Sequence, residues 1–280
     1  MKIVSTGVAL PHRIIKNSDI SDSPDWVEKN LGIKERRFSD VDLHFMAAMS
    51  ATRVKDIDMV ICATSTPSLK APSMACKINE ILDLKAVAFD VNAVCSGFLF
   101  AMSIAEQYLN IYKRILIIGA DKFSTITDYD NRNCVFFGDG AGSMVLEKGD
   151  NLKSIIIRSD SNENGFYCKD KFWMDGKKVY KAALRLVPEV VNDALIHADL
   201  TIDDIDYMVP HQPSRSMLWD IADKIGLPRE KVLTNMDKYA NTSAATIPIL
   251  YHESKFKKGD KILFASTGAG WCYAAGIYEY

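Results

Sequence analysis

The stretch FDVNAVCSGFLFAMSIAEQYL begins as a strand and ends as a helix, with Cys95 at the corner between them. Residues 88–93 alternate roughly in and out, and from Phe98 the apolar residues Leu99, Met102, Ala105 and Leu109 follow a helical period. A cysteine in the first turn of such a helix faces unpaired backbone N–H groups and the positive end of the helix dipole. That setting lowers a thiol pKa toward the thiolate, the nucleophilic form. Free cysteine is also among the most buried residue types, so this segment alone leaves nucleophile and core filling both open. His211 and Asn241 each follow a predicted strand, as Cys95 does. Taken singly, His211 reads as a structural histidine and Asn241 as a turn residue or N-cap for TSAATIPIL.

The bulk composition narrows the field. The 280 residues are 48% hydrophobic and 25% charged, with a net charge of −2. Neither the basic excess of a nucleic-acid binder nor an acidic disordered character is present. MKIVSTGVALPHR meets Gly7 and Pro11 too early for a signal peptide and reads as a first strand. No apolar run approaches the ~20 residues of a membrane span, since Asp90 and Asn92 interrupt the best candidate. Cys62, Cys76, Cys95, Cys134, Cys168 and Cys272 are scattered, without CxxC pairs or metal-ligand spacing. Unpaired thiols in a reducing cytoplasm are expected, with no metal and no disulfide framework.

The chain also looks like one unit written twice. DIDMVICATSTPS at 56–68 resembles DIDYMVPHQPSRS at 204–216, an offset of 204 − 56 = 148. The same step carries Cys95 onto Ser243, and KRILIIGAD matches DKILFASTGAG with Gly119 on Gly268. The halves run 1–150 and 151–280, joined by a short polar turn in EKGDNLKSIII. Alternating strands and helices imply mixed sheets covered by helices, an α/β fold of five layers. Long helices are expected over 95–110 and 179–198, with Pro188 kinking or splitting the second. A pseudo-twofold between the halves brings Cys95, His211 and Asn241 together despite gaps of 116 and 30 residues.

DWVEKNLGIKERR, DVNAVCSGF, FGDGAG, MVPHQPSR and NTSAATIP together resemble the β-ketoacyl-acyl-carrier-protein synthase III family, of thiolase-like αβαβα fold. The resemblance runs almost end to end. It implies that Cys95 is acylated and that His211 and Asn241 complete the site. The implied oxyanion donors are the backbone N–H groups of Cys95 and of Ala269, in the loop STGAGWCYAAG. An acyl-CoA or acyl-carrier starter would load Cys95. A malonyl carrier would then lose CO₂, its enolate held by His211 Nε2–H and the Asn241 amide, and form the new C–C bond. No resident cofactor is implied, since CoA and phosphopantetheine thioesters are substrates. Asn241 stands where elongating ketosynthases place a second histidine, and Thr267 where thiolases place a second cysteine. The glycines of FGDGAG suit tight packing, because a P-loop's spacing and lysine are missing.

Further positions follow from the same resemblance. Trp26 matches the tryptophan that stacks on the CoA adenine, and Arg132 the arginine on its other face, one residue closer to FGDG than usual. The basic residue often found four positions after that tryptophan is Asn30. Ala71, small where relatives place a bulky residue in the partner subunit's acyl pocket, implies room for a non-acetyl starter. The segment SDSNENGFYCKDKFWMDGKK is short, and Phe166, Tyr167, Phe172 and Trp173 either rebuild the wall there or fill core. Lys181, with Arg215 and Lys224, is the implied landing site for an acidic acyl-carrier protein, against the ordinary reading of a solvated helix face. A homodimer is implied, with no nucleic-acid partner. Acyl transfer to oxygen or nitrogen, or a silent subunit of a heterodimeric synthase, are the alternatives; the intact Cys-His-Asn set favours condensation.

Overall fold

Four consecutive residues, Ile115 to Ile118, are fully buried, the pattern of a strand covered on both faces. In the computed structural model, which describes residues 1–51, 54–162 and 165–280, helices lie on each side of that strand. The order runs β1 (Lys2–Ala9), β2 (Arg13–Lys16), α1 (Pro24–Leu31), β3 (Glu35–Phe38), α2 (Leu43–Met49) and β4 (Met59–Ala63). Then follow α3 (Met74–Ile81), β5 (Val87–Val91), α4 (Gly97–Tyr108), β6 (Arg114–Lys122), β7 (Asp139–Glu147) and β8 (Leu152–Asn162). The chain continues through β9 (Phe166–Cys168), β10 (Phe172–Met174), α5 (Gly176–His197), β11 (Tyr207–Pro210) and α6 (Arg215–Ile225). It ends with α7 (Met236–Tyr239), α8 (Thr246–Glu253), β12 (Lys261–Gly268) and β13 (Gly270–Glu279).

One sheet has the order β1-β7-β6-β4-β5 and a second has β11-β12-β13-β8. In the first, β4 is parallel to β5 and β6, while β7 is antiparallel to β6 and β1. The second repeats this with β11 parallel to β12 and β13 antiparallel to β12 and β8. Where the first sheet has β5, the second keeps an isolated bridge between Met208 and Val232. Strand side chains alternate between two cores. Leu116 and Ile118 pack outward under α2 and α3, whereas Ile115 and Ile117 pack inward with Phe98 and Met102 of α4 and Ile247 of α8. In the second sheet Ile262 and Phe264 join that central core, and Leu263 and Ala265 face α5 and α6. Each fully buried Leu or Ile contributes about 1.5–3 kcal/mol. The result is the expected five-layered αβαβα arrangement.

The duplication is real, but two expected matches shift. Met59 pairs with Ile115 and Tyr207 with Ile262, so the strand offsets are 207 − 59 = 148 and 262 − 115 = 147. Gly119, opposite Ala63, therefore matches Ser266 rather than Gly268. The central layer opens with two 3-10 turns, Val94–Ser96 and Ser243–Ala245, whose first residues have φ of 48° and 54°. Cys95 thus corresponds to Ala244 rather than Ser243. The α-helix after Cys95 starts at Gly97, and α5 runs unbroken through Pro188. The glycines of FGDGAG allow close packing as expected: a Cβ at Gly140 or Gly142 would press on α8 within 3.0 Å.

Candidate active site

Asn92 Oδ1 accepts from Val94 N at 3.2 Å and Ala93 O accepts from Ser96 N at 3.0 Å, which folds the chain sharply around Cys95. Ser96 Oγ donates to Cys272 O at 2.8 Å and ties this turn to β13. His211 follows β11, and its backbone N–H donates to Ala265 O at 2.9 Å. The Gln212 amide donates to Pro210 O and Leu233 O and accepts from Asn235 N, bracing the segment behind the imidazole. Asn241 follows α7, with its N–H on Phe136 O at 3.0 Å and its carbonyl accepting from Gly138 N at 3.1 Å. One half of the fold therefore holds a site residue of the other. Cys95, His211 and Asn241 are 8%, 5% and 4% exposed and line one pocket of ≈ 360 Å³.

His211 Nε2 lies 3.1 Å from Asn241 Oδ1, which also accepts from Ser243 N at 2.8 Å. An amide oxygen only accepts, so that bond assigns the Nε2–H tautomer. Burial lowers the His211 pKa to about 4, against the opposing bond to Asn241. The ring is neutral at pH 7 and acts as a donor. Burial pushes the Cys95 thiol up to about 12, with the Asp121 charge adding to it and Ser243, Asn241 and the residue's own N–H opposing. This reverses the expected lowering. The helix begins two residues beyond Cys95, and desolvation of the thiolate outweighs the donors around it.

Ala269 turns the chain between β12 and β13 and lines the same pocket. Beside it, Gly268 packs so closely that a Cβ would lie 2.9 Å from Cys95 N and 3.0 Å from Ala93 O. Trp26, 55% exposed on α1, stands at the junction of this pocket with a groove of ≈ 1010 Å³ that Arg132 also lines. Arg132 makes no ion pair among the described residues. Its 3-10 turn, Arg132–Val135, is held from below by the buried Arg36, whose Nη2 donates to Val135 O and Asn17 Oδ1, each at 2.9 Å. Trp173 lines the groove as well, a role the sequence reading did not separate from wall or core.

The remaining expected residues divide. Phe166 lines the pocket, stacks on Phe172 at 5.6 Å, and both rings meet Phe137 edge-on. The short hairpin β9–β10 thus rebuilds a wall, while Tyr167 and Trp173 stack on each other at 5.2 Å and remain exposed. Ala71 is exposed and lies outside the pocket of its own chain, so no acyl-pocket contact is made by it here. Lys181 is exposed on α5 and unpaired among the described residues. Arg215 instead donates to Glu28 O and Lys29 O at the end of α1 and stacks over Trp219 at 5.1 Å. Lys224 Nζ donates at 2.8 Å to Leu184 O, the carbonyl that Pro188 leaves without its helical partner. Two of the three cations expected at a docking surface, Arg215 and Lys224, thus also brace backbone carbonyls. All six cysteines are free. Among the described residues no His, Cys, Asp and Glu cluster forms a metal site, and no helix is long and apolar enough to cross a membrane.

Residues 89–165 match the family model described as 3-oxoacyl-[acyl-carrier-protein (ACP)] synthase III, and residues 195–280 match the one for its C-terminal part. A β-ketoacyl-[acyl-carrier-protein] synthase III of Aquifex aeolicus (strain VF5) is 35% identical over 306 residues, covering 100% of this chain and 99% of the relative. One from Acholeplasma laidlawii (strain PG-8A) is 36% identical over 302 residues, covering 99% and 97%. The crystal structure of 3-oxoacyl-[acyl-carrier-protein] synthase III from Aquifex aeolicus VF5 matches with a TM-score of 0.97 at 34% identity, covering 100% of this chain and 99% of that one.

Proposed function

Because the chain belongs to the 3-oxoacyl-[acyl-carrier-protein] synthase III family, we propose that it is an acyltransferase that condenses an acyl starter with malonyl-acyl-carrier protein. Cys95 Sγ attacks the starter thioester, and the N–H groups of Cys95 and Ala269 receive the developing oxyanion. The donor thiol leaves and a malonyl thioester enters. As CO₂ departs, His211 Nε2–H and the Asn241 amide donate to the enolate oxygen, and the enolate carbon attacks acyl-Cys95. A neutral imidazole suits this step, because the enolate needs a hydrogen-bond donor and no base. Collapse of the second adduct frees Cys95 and releases the β-ketoacyl carrier.

The reading rests on one observation above all: Cys95, His211 and Asn241, from distant parts of the chain, meet in a mostly apolar pocket that opens into a groove. Trp26 and Arg132 in that groove are assigned to the two faces of the adenine of an incoming CoA thioester, with no resident cofactor. Lys181, with Lys177 and Lys178, is assigned to the acidic carrier. The enzyme is read as a cytoplasmic homodimer joined at the free edge of β5. The deciding experiment is intact-protein mass spectrometry after incubation with acyl-CoAs and acyl-carrier proteins, followed by peptide mapping. An acyl adduct on Cys95, and a C–C product once malonyl-carrier is added, are expected. An adduct persisting in Cys95→Ala, or an ester or amide as sole product, would overturn the reading.

A further inference from the structure

For Cys95 to attack, its thiol must give up a proton before the donor thiolate leaves, and the site so far has no acceptor for it. His211 presents Nε2–H toward Asn241 and is held neutral by burial, so it offers a donor rather than a base. Beneath the nucleophile lies Asp121 of β6, with no exposed surface. Its Oδ1 accepts from Ser65 N at 2.8 Å, Thr66 Oγ1 at 2.9 Å, Ser65 Oγ at 3.0 Å and Thr64 Oγ1 at 3.3 Å. Its Oδ2 faces the central turn and accepts from Ala244 N at 3.1 Å. Ser243, the preceding residue, opens the 3-10 turn that packs against the turn carrying Cys95, which sets it beside the Asp121 carboxylate and the Cys95 thiol. It is 1% exposed and held at φ 54°, a conformation that costs a residue with a Cβ. Its Oγ is buried without a hydrogen-bond partner. Buried hydroxyls are normally satisfied. One left open between a thiol and a carboxylate can close both bonds when substrate tightens the site.

We propose that Ser243 and Asp121 form a proton relay for Cys95, in which the thiol proton passes to Ser243 Oγ while the serine's own proton passes to Asp121 Oδ2. The S–H bond breaks as the S–C bond to the thioester carbonyl forms. The adduct then expels the donor thiolate, which takes a proton from solvent. Asp121 stays protonated through the acyl-enzyme stage. When condensation frees Cys95 as a thiolate, the proton returns by the same path and the carboxylate is restored. Burial raises the Asp121 pKa, which improves it as an acceptor. Cys62 on β4 points into the outer core on the other face of the sheet, and burial, with the charges of Asp90 and Asp121, pushes it further from ionising. Lys122, next along β6, sends its ammonium to Val41 O. No ion pair neutralises Asp121 among the described residues.

This inference rests on Cys95 being the acylated nucleophile, and the test separates the two. Single-turnover acylation of Cys95 is followed by intact mass across pH, in light and heavy water, for the parent, Ser243→Ala and Asp121→Asn. Ser243→Ala keeps the same backbone demand, so it carries the test if Asp121→Asn misfolds. The relay requires each variant to acylate about 10²-fold more slowly at pH 7 and to recover as rising pH ionises the thiol directly. The parent should show a two-proton solvent isotope effect that the variants lose. A variant acylated at the parent rate, or slowed with the parent's pH profile and isotope effect, overturns the relay. The sign discriminates further: the Asp121 charge opposes thiolate formation, so without a relay Asp121→Asn would acylate faster. If the parent itself gains no adduct on Cys95, the functional reading falls and takes the relay with it.

Discussion

At Gly268 there is no room for a methyl group, and the atoms it would strike are the nucleophile's own N–H and the carbonyl of Ala93. Gly268→Ala should therefore displace the turn that aims Cys95. Overpacking of this kind costs about 1–3 kcal/mol, but the larger effect is expected in acylation rate, since displacement near 1 Å costs about 10²-fold. Stopped-time mass analysis of Cys95 loading beside a thermal melt would show both; an unimpaired loading rate would refute the oxyanion geometry. His211 gives a pH prediction. Its folded pKa lies near 4 against an ordinary 6.5. Above about pH 7 neither folded nor unfolded chain protonates it. As pH falls from 6.5 toward 4, the unfolded chain takes up a proton that the folded chain refuses, so this group's contribution to stability is lost in that window. Malonyl decarboxylation should stay level down to about pH 5 with respect to this group. A loss centred near 6.5 would show that His211 titrates in the open. The three residues that meet in the pocket were legible as motif positions in the string. The ionisation of Cys95 was not, because the burial that governs it is supplied partly by the other half of the fold.

Among the elements, α5 shows how an apparent fault becomes a joint. Pro188 removes a helical donor, yet the helix continues because Lys224 reaches across from α6 to the vacated Leu184 carbonyl. The sequence showed the proline and the lysine, 36 residues apart, without showing that one answers the other; it left kink and break both open. The helix limits, expected over 179–198 and found at Gly176–His197, were nearly right because the apolar period there is strong. Arg215 and Lys224, expected at the carrier docking surface, also bond backbone carbonyls, which exposed cations near helix ends find close at hand. Two variants separate these roles. Lys224→Met should cost about 0.5–1.5 kcal/mol in denaturant unfolding and leave the carrier KM unchanged. Lys181→Glu should leave stability within about 0.5 kcal/mol and raise the KM for malonyl-carrier several-fold, more at low salt. The reverse pattern would return Lys224 to the docking surface.

For the whole molecule, the repeat seen in the string was enough to give two sheets and a shared central layer, since the offset of 148 between β4 and β11 survives in the register. What the repeat hid is the difference between the halves. The first sheet ends in a complete strand, β5, where the second has one bridge. A full strand at an edge carries unpaired backbone groups and invites pairing. On β5 Val87 is 46% exposed, and the helices that pack on this strand, α3 and α4, also leave the large apolar residues Ile81 and Tyr108 in the open. Asp90 of β5 accepts from Met74 N and Ala75 N, holding the start of α3 and hence the loop with Ala71 against the same edge. In the proposed homodimer a second copy docked here would receive Ala71, which lies outside the pocket of its own chain. The proposed homodimer should therefore dissociate when two like charges are set on this face, as in Val87→Glu with Tyr108→Glu. Sedimentation equilibrium is expected to show a dimer for the parent and a monomer for the double variant, with circular dichroism retained. The monomer should also lose starter discrimination between short and branched acyl-CoAs, since part of its pocket wall would be missing. A double variant that still sediments as the parent does would remove β5 from the interface, and a folded monomer with unchanged starter preference would remove Ala71 from the pocket.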